Sequence, residues 1–246
     1  MGILTRRLKV VVVGRGYWGN ELAKTAMALG DDVVLVGHED AIPDGDIAVI
    51  ATTPQHRVAC AKRARAELYW LEVPLAMHPE ELERLRGMDF TTGFRWRYAA
   101  PWWLVGRLRK AKMEIVHDRP LEKPWVREAG LWRTWGPHWV DILRQMGCTE
   151  WKREEKNRWT ANGVEITFEE KWGPEPRREL ILYGDRVLRV CITGWTLAPP
   201  RESGVPRNEL GLLWSRFREG RPLVSTADAL EANRVVLENS SSPCTS

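Results

Sequence analysis

Lysine, paired cysteines and long apolar runs are what this 246-residue chain has little of. Of its 37 basic residues only 9 are Lys, against 28 Arg. An Arg side chain keeps its proton at working pH, so few amines are left that can exchange one. The four cysteines, Cys60, Cys148, Cys191 and Cys244, lie far apart with no Cys-x-x-Cys pair. That pattern disfavours a zinc site and a disulfide framework, so four free thiols and no metal are expected. No stretch approaches the roughly 20 apolar residues of a membrane helix. The basic start, Met1 to Lys9, precedes only the short run Val10–Val13 and no small-residue cleavage site, so it reads as the opening of a cytoplasmic protein. The net charge is only +4, with both signs interspersed, which argues against a nucleic-acid partner. Apolar residues at 43% and charged residues at 28% exclude disordered and low-complexity classes.

Trp is abundant where Tyr and Phe are scarce: 14 against 4 and 4. Trp96, Trp102, Trp103, Trp125, Trp132, Trp135 and Trp139 crowd one region. Trp132, Trp135 and Trp139 recur at i, i+3 and i+7, one face of a helix. Such a face packs a core, or stacks on a sugar ring or a flat ligand.

The first half alternates strands and helices. Leu8–Val13 is a β-branched run suited to a strand buried on both faces. Residues 20–29 carry helical periodicity stopped by Gly30. Strands are predicted over Asp32–Val36, Asp46–Ala51, Leu68–Leu71 and Phe90–Tyr98, and helices over His56–Glu67 and Pro79–Arg86. This is the signature of a parallel, doubly wound sheet. Beyond it, helices are predicted over Trp102–Lys110, Trp132–Gln145, Glu209–Glu219 and Ala227–Glu238. Strands are predicted over Met113–His117, Val164–Trp172, Glu179–Tyr183 and Arg186–Ile192, with Gly184-Asp185 as a hairpin turn. The Ser-rich tail, Asn239–Ser246, is expected to fray. The fold class is therefore α/β. A Rossmann domain over 1–98 precedes a smaller α+β domain over 99–246 with a mostly antiparallel sheet.

Gly14-Arg15-Gly16-Tyr17-Trp18-Gly19 follows the first strand and opens a helix, the context of a dinucleotide-binding turn. Gly14 permits the tight turn, Gly16 lets a pyrophosphate approach the backbone, and Gly19 lets helix and strand pack closely. The helix N-terminus adds amide donors and partial positive charge. An acidic residue usually holds the ribose at the end of the second strand. Here that strand ends Val36-Gly37-His38-Glu39-Asp40, so the carboxylates fall late and Gly37 or His38 takes the ribose position. With Arg15 or His38 able to approach a 2′-phosphate, NADP is favoured slightly over NAD.

Further segments follow in order: Ile50-Ala51-Thr52-Thr53-Pro54-Gln55-His56, Leu71-Glu72-Val73-Pro74-Leu75-Ala76, Gly93-Phe94-Arg95-Trp96-Arg97-Tyr98, and Gly136-Pro137-His138-Trp139-Val140-Asp141-Ile142-Leu143. Together with the glycine turn they resemble the Gfo/Idh/MocA oxidoreductases, the glucose-fructose oxidoreductase and inositol dehydrogenase group. The resemblance covers residues 8–147 and implies an N-terminal NAD(P)-binding domain and an antiparallel sheet domain that completes the substrate pocket and often mediates oligomerisation. It implies cofactor contacts from Thr52, Thr53, Pro54, Glu72 and Pro74, with His56 near the nicotinamide and a cis bond before Pro74. Arg97 and His138 are candidate substrate contacts in that pattern, and Trp135 is a third if the tryptophan face stacks on the ligand.

The chain departs from that pattern. Val73 replaces the Lys of the Glu-Lys-Pro segment, and Thr134 replaces an Asp four residues before His138. Only Gly37–Gly45 separates the second and third strands, too little for the usual helix, and the chain is short for the group. Lys123, in Glu122-Lys123-Pro124, does not fit the missing Lys position. A general base contributes roughly 10²–10⁴ in rate, and neither Val73 nor Thr134 can serve at neutral pH. His138 can, with Asp141 three residues on as a helical neighbour.

The expectation is an NAD(P)-dependent oxidoreductase acting on a small cyclic or planar substrate such as a sugar or cyclitol. His138 is its catalytic residue, and the protein is a homodimer or higher homo-oligomer. The alternative is a catalytically inactive Rossmann-fold binding, sensor or scaffold protein, favoured by Val73 and Thr134.

Overall fold

The computed structural model describes residues 7–94, 96–117, 123–191, 194–198, 202–204, 209–221 and 223–240. In chain order the elements are β1 (Lys9–Val13), α1 (Tyr17–Ala28), β2 (Asp32–Val36), β3 (Ile47–Ile50), α2 (Pro54–Arg63), β4 (Leu68–Leu71), α3 (Pro79–Glu83), β5 (Thr91–Thr92), α4 (Trp96–Ala99), β6 (Lys110–His117), α5 (Pro124–Gln145), β7 (Trp151–Glu155), β8 (Arg158–Ala161), β9 (Val164–Trp172), β10 (Arg177–Tyr183), β11 (Val187–Cys191), β12 (Gly194–Ala198), β13 (Glu202–Gly204), α6 (Glu209–Arg218) and α7 (Thr226–Glu238). They form two compact units, Met1–Arg95 with Asn208–Leu237, and Trp96–Arg207 with Glu238–Ser246. The expected continuous second domain, 99–246, is corrected by this division: α6 and nearly all of α7 complete the first unit.

In the first unit five parallel strands run in the order β2-β1-β3-β4-β5. Val10–Val13 and Ile47–Ile50 are buried throughout, as central strands covered on both faces must be. The strand order turns back between β1 and β3, so the crevice at their carboxyl ends is where a ligand fits such a sheet. The link from β2 to β3 holds no helix, as the short spacing predicts. Two long-range anchors bring the C-terminal helices here. Asn233 in α7 accepts the Leu75 amide at 2.9 Å. Thr91 in β5 takes the amides of Leu223 and Val224 at 3.1 and 3.0 Å.

The predicted strand Phe90–Tyr98 reduces to Thr91–Thr92, and Arg97 lies in the short helix α4. Thr91 spends its hydroxyl on the Leu223–Val224 backbone, which closes that edge of the sheet. The predicted helix Trp102–Lys110 is also corrected. One 3₁₀ turn, Trp102–Val105, ends at Gly106, whose φ of +74° suits glycine. The Asp185 carboxylate then takes the Arg107 amide at 3.2 Å, and β6 starts at Lys110.

The second unit is an eight-stranded sheet, β13-β12-β11-β10-β6-β9-β8-β7, antiparallel except for the β6–β9 pair. The hairpin at Gly184-Asp185 joins β10 to β11 as predicted. Helix α5 packs on one face: Trp132 stacks on Trp159 of β8 at 4.5 Å, and Trp139 meets Phe168 of β9 at 6.0 Å. The helix is longer than predicted and breaks at Gly130, where φ is +71°. Cys60, Cys148 and Cys191 are free thiols, while Cys244 and most of the Ser-rich tail lie outside the described residues. Among the described residues no helix is long and apolar enough to cross a membrane, and no group of three or more potential ligands could hold a metal ion.

Candidate cofactor and substrate sites

The first turn is built by its three glycines. Gly14 has φ +123°, and a Cβ there would lie 2.6 Å from the Ala51 carbonyl oxygen, so β1 and β3 can run side by side only past a glycine. A Cβ at Gly19 would overlap the carbonyl oxygen of Gly14, so α1 sits tight on the turn. At Gly16 a Cβ would meet nothing within 4 Å. Gly16 is the N-cap of α1, no side chain caps that helix, and its first turn holds no acidic residue. An open, uncapped and uncharged helix N-terminus at the crevice of the sheet is a cradle that fits a pyrophosphate. Arg15 and Tyr17 are exposed on its rim, and Trp18 is half-buried, edge-on to Tyr17 at 5.2 Å.

At the end of β2 the late carboxylate folds back. Asp40 accepts the Gly37 amide at 2.8 Å and pairs with Arg15 at 2.7 Å. Arg63 of α2 holds the loop from beneath, donating to the carbonyls of His38 at 2.8 Å and Asp40 at 2.6 Å. His38 stacks on His56 with ring centroids 4.1 Å apart and planes 19° apart. His56, expected near the nicotinamide, lies in the first turn of α2 and is brought against His38 of the β2–β3 link.

At the ends of β3 and β4 the structure brings Thr52 and Pro74 together through a residue the sequence reading did not single out. Arg57 of α2 is buried, and its guanidinium donates to the carbonyls of Thr52 and Pro74. Burial lowers its pKa to about 10, against the opposing pull of Glu72 and Cys60. Its spacing after Pro54 put it on a helix, but a lone Arg there reads as a solvated charge. Thr53 is the N-cap of α2 and Pro54 its first residue. Glu72 accepts the Trp70 indole N–H at 2.8 Å, and the Val73–Pro74 bond is cis.

The second unit carries the candidate substrate residues. Asp141 is buried on α5 and takes two hydrogen bonds from Arg97, one of them 2.9 Å from Nε. Arg97 thus ties α4 to α5 by a bidentate pair, and its fork is already engaged. Thr134 donates its hydroxyl to the Gly130 carbonyl at 2.9 Å, closing the helix after its break. Lys123 is the exposed N-cap of α5. The tryptophan face divides: Trp132 and Trp139 are buried against the sheet, and Trp135 is half-buried, 6.1 Å from the half-buried His138. Over Trp135 lies Arg178 of β10, its guanidinium carbon 4.5 Å from the ring centroid. Alternation along Arg178, Leu180 and Leu182 could have flagged an Arg on the core-facing side of its strand.

Residues 9–54 match the pyridine nucleotide-disulphide oxidoreductase family. No curated protein matches the sequence. Among solved structures, a UDP-N-acetylglucosamine 3-dehydrogenase from Acidithiobacillus ferrooxidans is similar at 16% identity, with TM-score 0.76 over 95% of this chain and 97% of that one. An oxidoreductase from Thermotoga maritima has TM-score 0.73 at 12% identity, over 94% and 95%. A biliverdin reductase from Synechocystis, in complex with biliverdin and NADP+, has TM-score 0.68 at 15% identity, over 94% and 97%. Each match spans nearly the whole of both chains, and at these identities the likeness is one of fold.

Proposed function

We propose that this chain, whose two units have the fold of the Gfo/Idh/MocA-type oxidoreductases, is an NAD(P)-dependent oxidoreductase acting on a small cyclic or planar substrate, a sugar, cyclitol or related molecule. The observation that carries the reading is the open cradle at Gly16 on an uncapped helix N-terminus. The nicotinamide supplies or accepts the hydride when bound. The chain's own residues orient it: the amides at the start of α1 take the pyrophosphate, and Arg57 fixes the two turns that bear Thr52 and Pro74. His138 is assigned as the proton donor to the substrate oxygen in reduction, and as the base that takes it back in oxidation.

Within this reading NADP is slightly preferred. The Arg15–Asp40 pair is exposed, 63% and 42%, and such pairs are held weakly. A 2′-phosphate can therefore draw Arg15 from Asp40, with His38 and His56 beside it. The chain is further read as a cytoplasmic homodimer or higher homo-oligomer. Titration with NADH and NADPH, followed by energy transfer from tryptophan to the nicotinamide, tests the cofactor. Saturable binding with NADPH the tighter ligand is expected; binding of neither by the folded protein would sink the proposal.

A scaffold or sensor without catalysis is the second reading, favoured by Val73 and by Thr134, whose hydroxyl is spent within its own helix. It predicts no oxidation or reduction across a panel of sugars, cyclitols, imines and tetrapyrroles.

A further inference from the structure

The sheet face covered by α5 carries a cation beside apolar neighbours. In register, Leu182 flanks Ala111, Leu180 flanks Met113, and Arg178 flanks Ile115. The first four of these and Ile115 are buried, and Arg178 is half-buried among them. Its sheet neighbours on the opposite face find acids: Arg177 meets Glu114 and Arg189 meets Glu179 at 3.6 Å. Among the described residues nothing accepts a hydrogen bond from Arg178. Glu170, in the same row across Ile115, faces His117 at 3.3 Å instead. Burial pushes the Arg178 guanidinium below its ordinary pKa, as partial removal of a cation from water must.

What holds Arg178 is the face of Trp135. An aromatic face attracts the charge of a guanidinium but accepts none of its five N–H donors in hydrogen-bond geometry, so the fork is left for a partner. That fork matches an oxyanion in bidentate geometry. Trp135 and His138 are neighbours on α5, so a group bound at Arg178 brings the molecule that carries it towards the candidate proton donor.

We propose that Arg178, held over the ring of Trp135 beside His138, is the recognition group for an oxyanion, a carboxylate or a phosphate, borne by the substrate. The inference rests on the oxidoreductase reading and narrows its substrate class from cyclic or planar molecules to acidic ones.

The test uses the full chain at constant ionic strength, titrated with inorganic phosphate and separately with malonate. The readout is the indole N–H resonance of Trp135, identified by its loss in Trp135→Phe. A saturable shift is expected; phosphate alone points to phosphate esters, malonate alone to carboxylates. Arg178→Gln should weaken the response about tenfold or more, and Arg178→Lys, which keeps the charge without the fork, by less. No saturable shift with either anion, or a response unchanged in Arg178→Gln, overturns the proposal. If the glutamine variant does not fold, the lysine variant decides: an unchanged response overturns the proposal as well. NADPH binding by the same samples separates the two readings. NADPH binding without an anion response removes this site alone. An anion response without NADPH binding removes the oxidoreductase reading and leaves an anion site.

Discussion

A single methyl group distinguishes the glycines of the first turn. Gly19→Ala forces a Cβ into the Gly14 carbonyl, and overpacking of that kind costs about 3 kcal/mol. Gly16→Ala meets nothing, and its φ of −74° suits alanine, so stability should change by under about 1 kcal/mol. The expected contrast is a lower urea midpoint for Gly19→Ala, and an unchanged midpoint with weakened NADPH binding for Gly16→Ala. Unaltered NADPH affinity in Gly16→Ala would move the cofactor away from the turn. Arg57→Leu strips the Thr52 and Pro74 carbonyls of their donors, at about 2–4 kcal/mol. His138→Asn should lower turnover far more than cofactor affinity, and equal turnover would remove its assigned role. At this scale Gly14 and Gly19 were legible because each answers to backbone geometry that only glycine meets, and Gly16 by its place between them at the start of α1. Arg57 was not, since a buried Arg differs from a solvated one only through partners distant in sequence, and Arg178 fell one residue outside the predicted strand Glu179–Tyr183, so its alternation with Leu180 and Leu182 went unread.

Elements with one dominant cause matched their predictions. The runs Asp32–Val36, Leu68–Leu71 and Val164–Trp172 are strands with the predicted limits. β7, Trp151–Glu155, went unread because it is an exposed edge with charges on both faces, and β8, Arg158–Ala161, because four residues make too short a run to show its alternation. Charge also organises the sheet face opposite α5. Glu114 on β6 is 5% exposed and meets Lys171 at 2.8 Å, Lys112 at 3.0 Å and Arg177 of β10. Burial alone would raise its pKa, but Lys171, Lys112 and Arg177 prevail and hold it at about 2, against 4.5 for a free carboxyl. A carboxyl depressed on folding stabilises the fold above its unfolded pKa, and that gain is lost as pH falls through the folded value. The difference corresponds to about 3 kcal/mol, present above pH 4.5 and lost towards pH 2. Urea midpoints across that window should fall in the native protein. Glu114→Gln should be weaker at neutral pH and flatter in acid; identical profiles would place the acid sensitivity elsewhere.

For the whole molecule, what no local pattern reveals is which unit a helix joins. The amphipathic faces of α6 and α7 say that they are buried, not against what. The partners are specific and distant. Trp214 of α6 is fully buried, donates to Asp31 at 2.9 Å, and lies 5.9 Å from the Trp70 ring of β4. Arg218 pairs with the same Asp31 at 3.0 Å. Residues 96–207 intervene in the chain, so the first unit is complete only when its last two helices arrive. Trp214→Ala removes the indole from a filled core and one donor from a buried carboxylate, at about 4 kcal/mol. A chain ending at residue 207 loses the whole layer, leaving Trp70, Leu75 and Thr91 without the groups that cover or bind them. That truncated chain should bind no NADPH, and the β1 amides should exchange with solvent far faster than in the full chain. The β8 and β9 amides, whose cover is α5, should keep their protection. Protected β1 amides and undiminished NADPH affinity in the truncated chain would show instead that β1 to β5 hold the cradle without help, and that α6 and α7 are accessory to it.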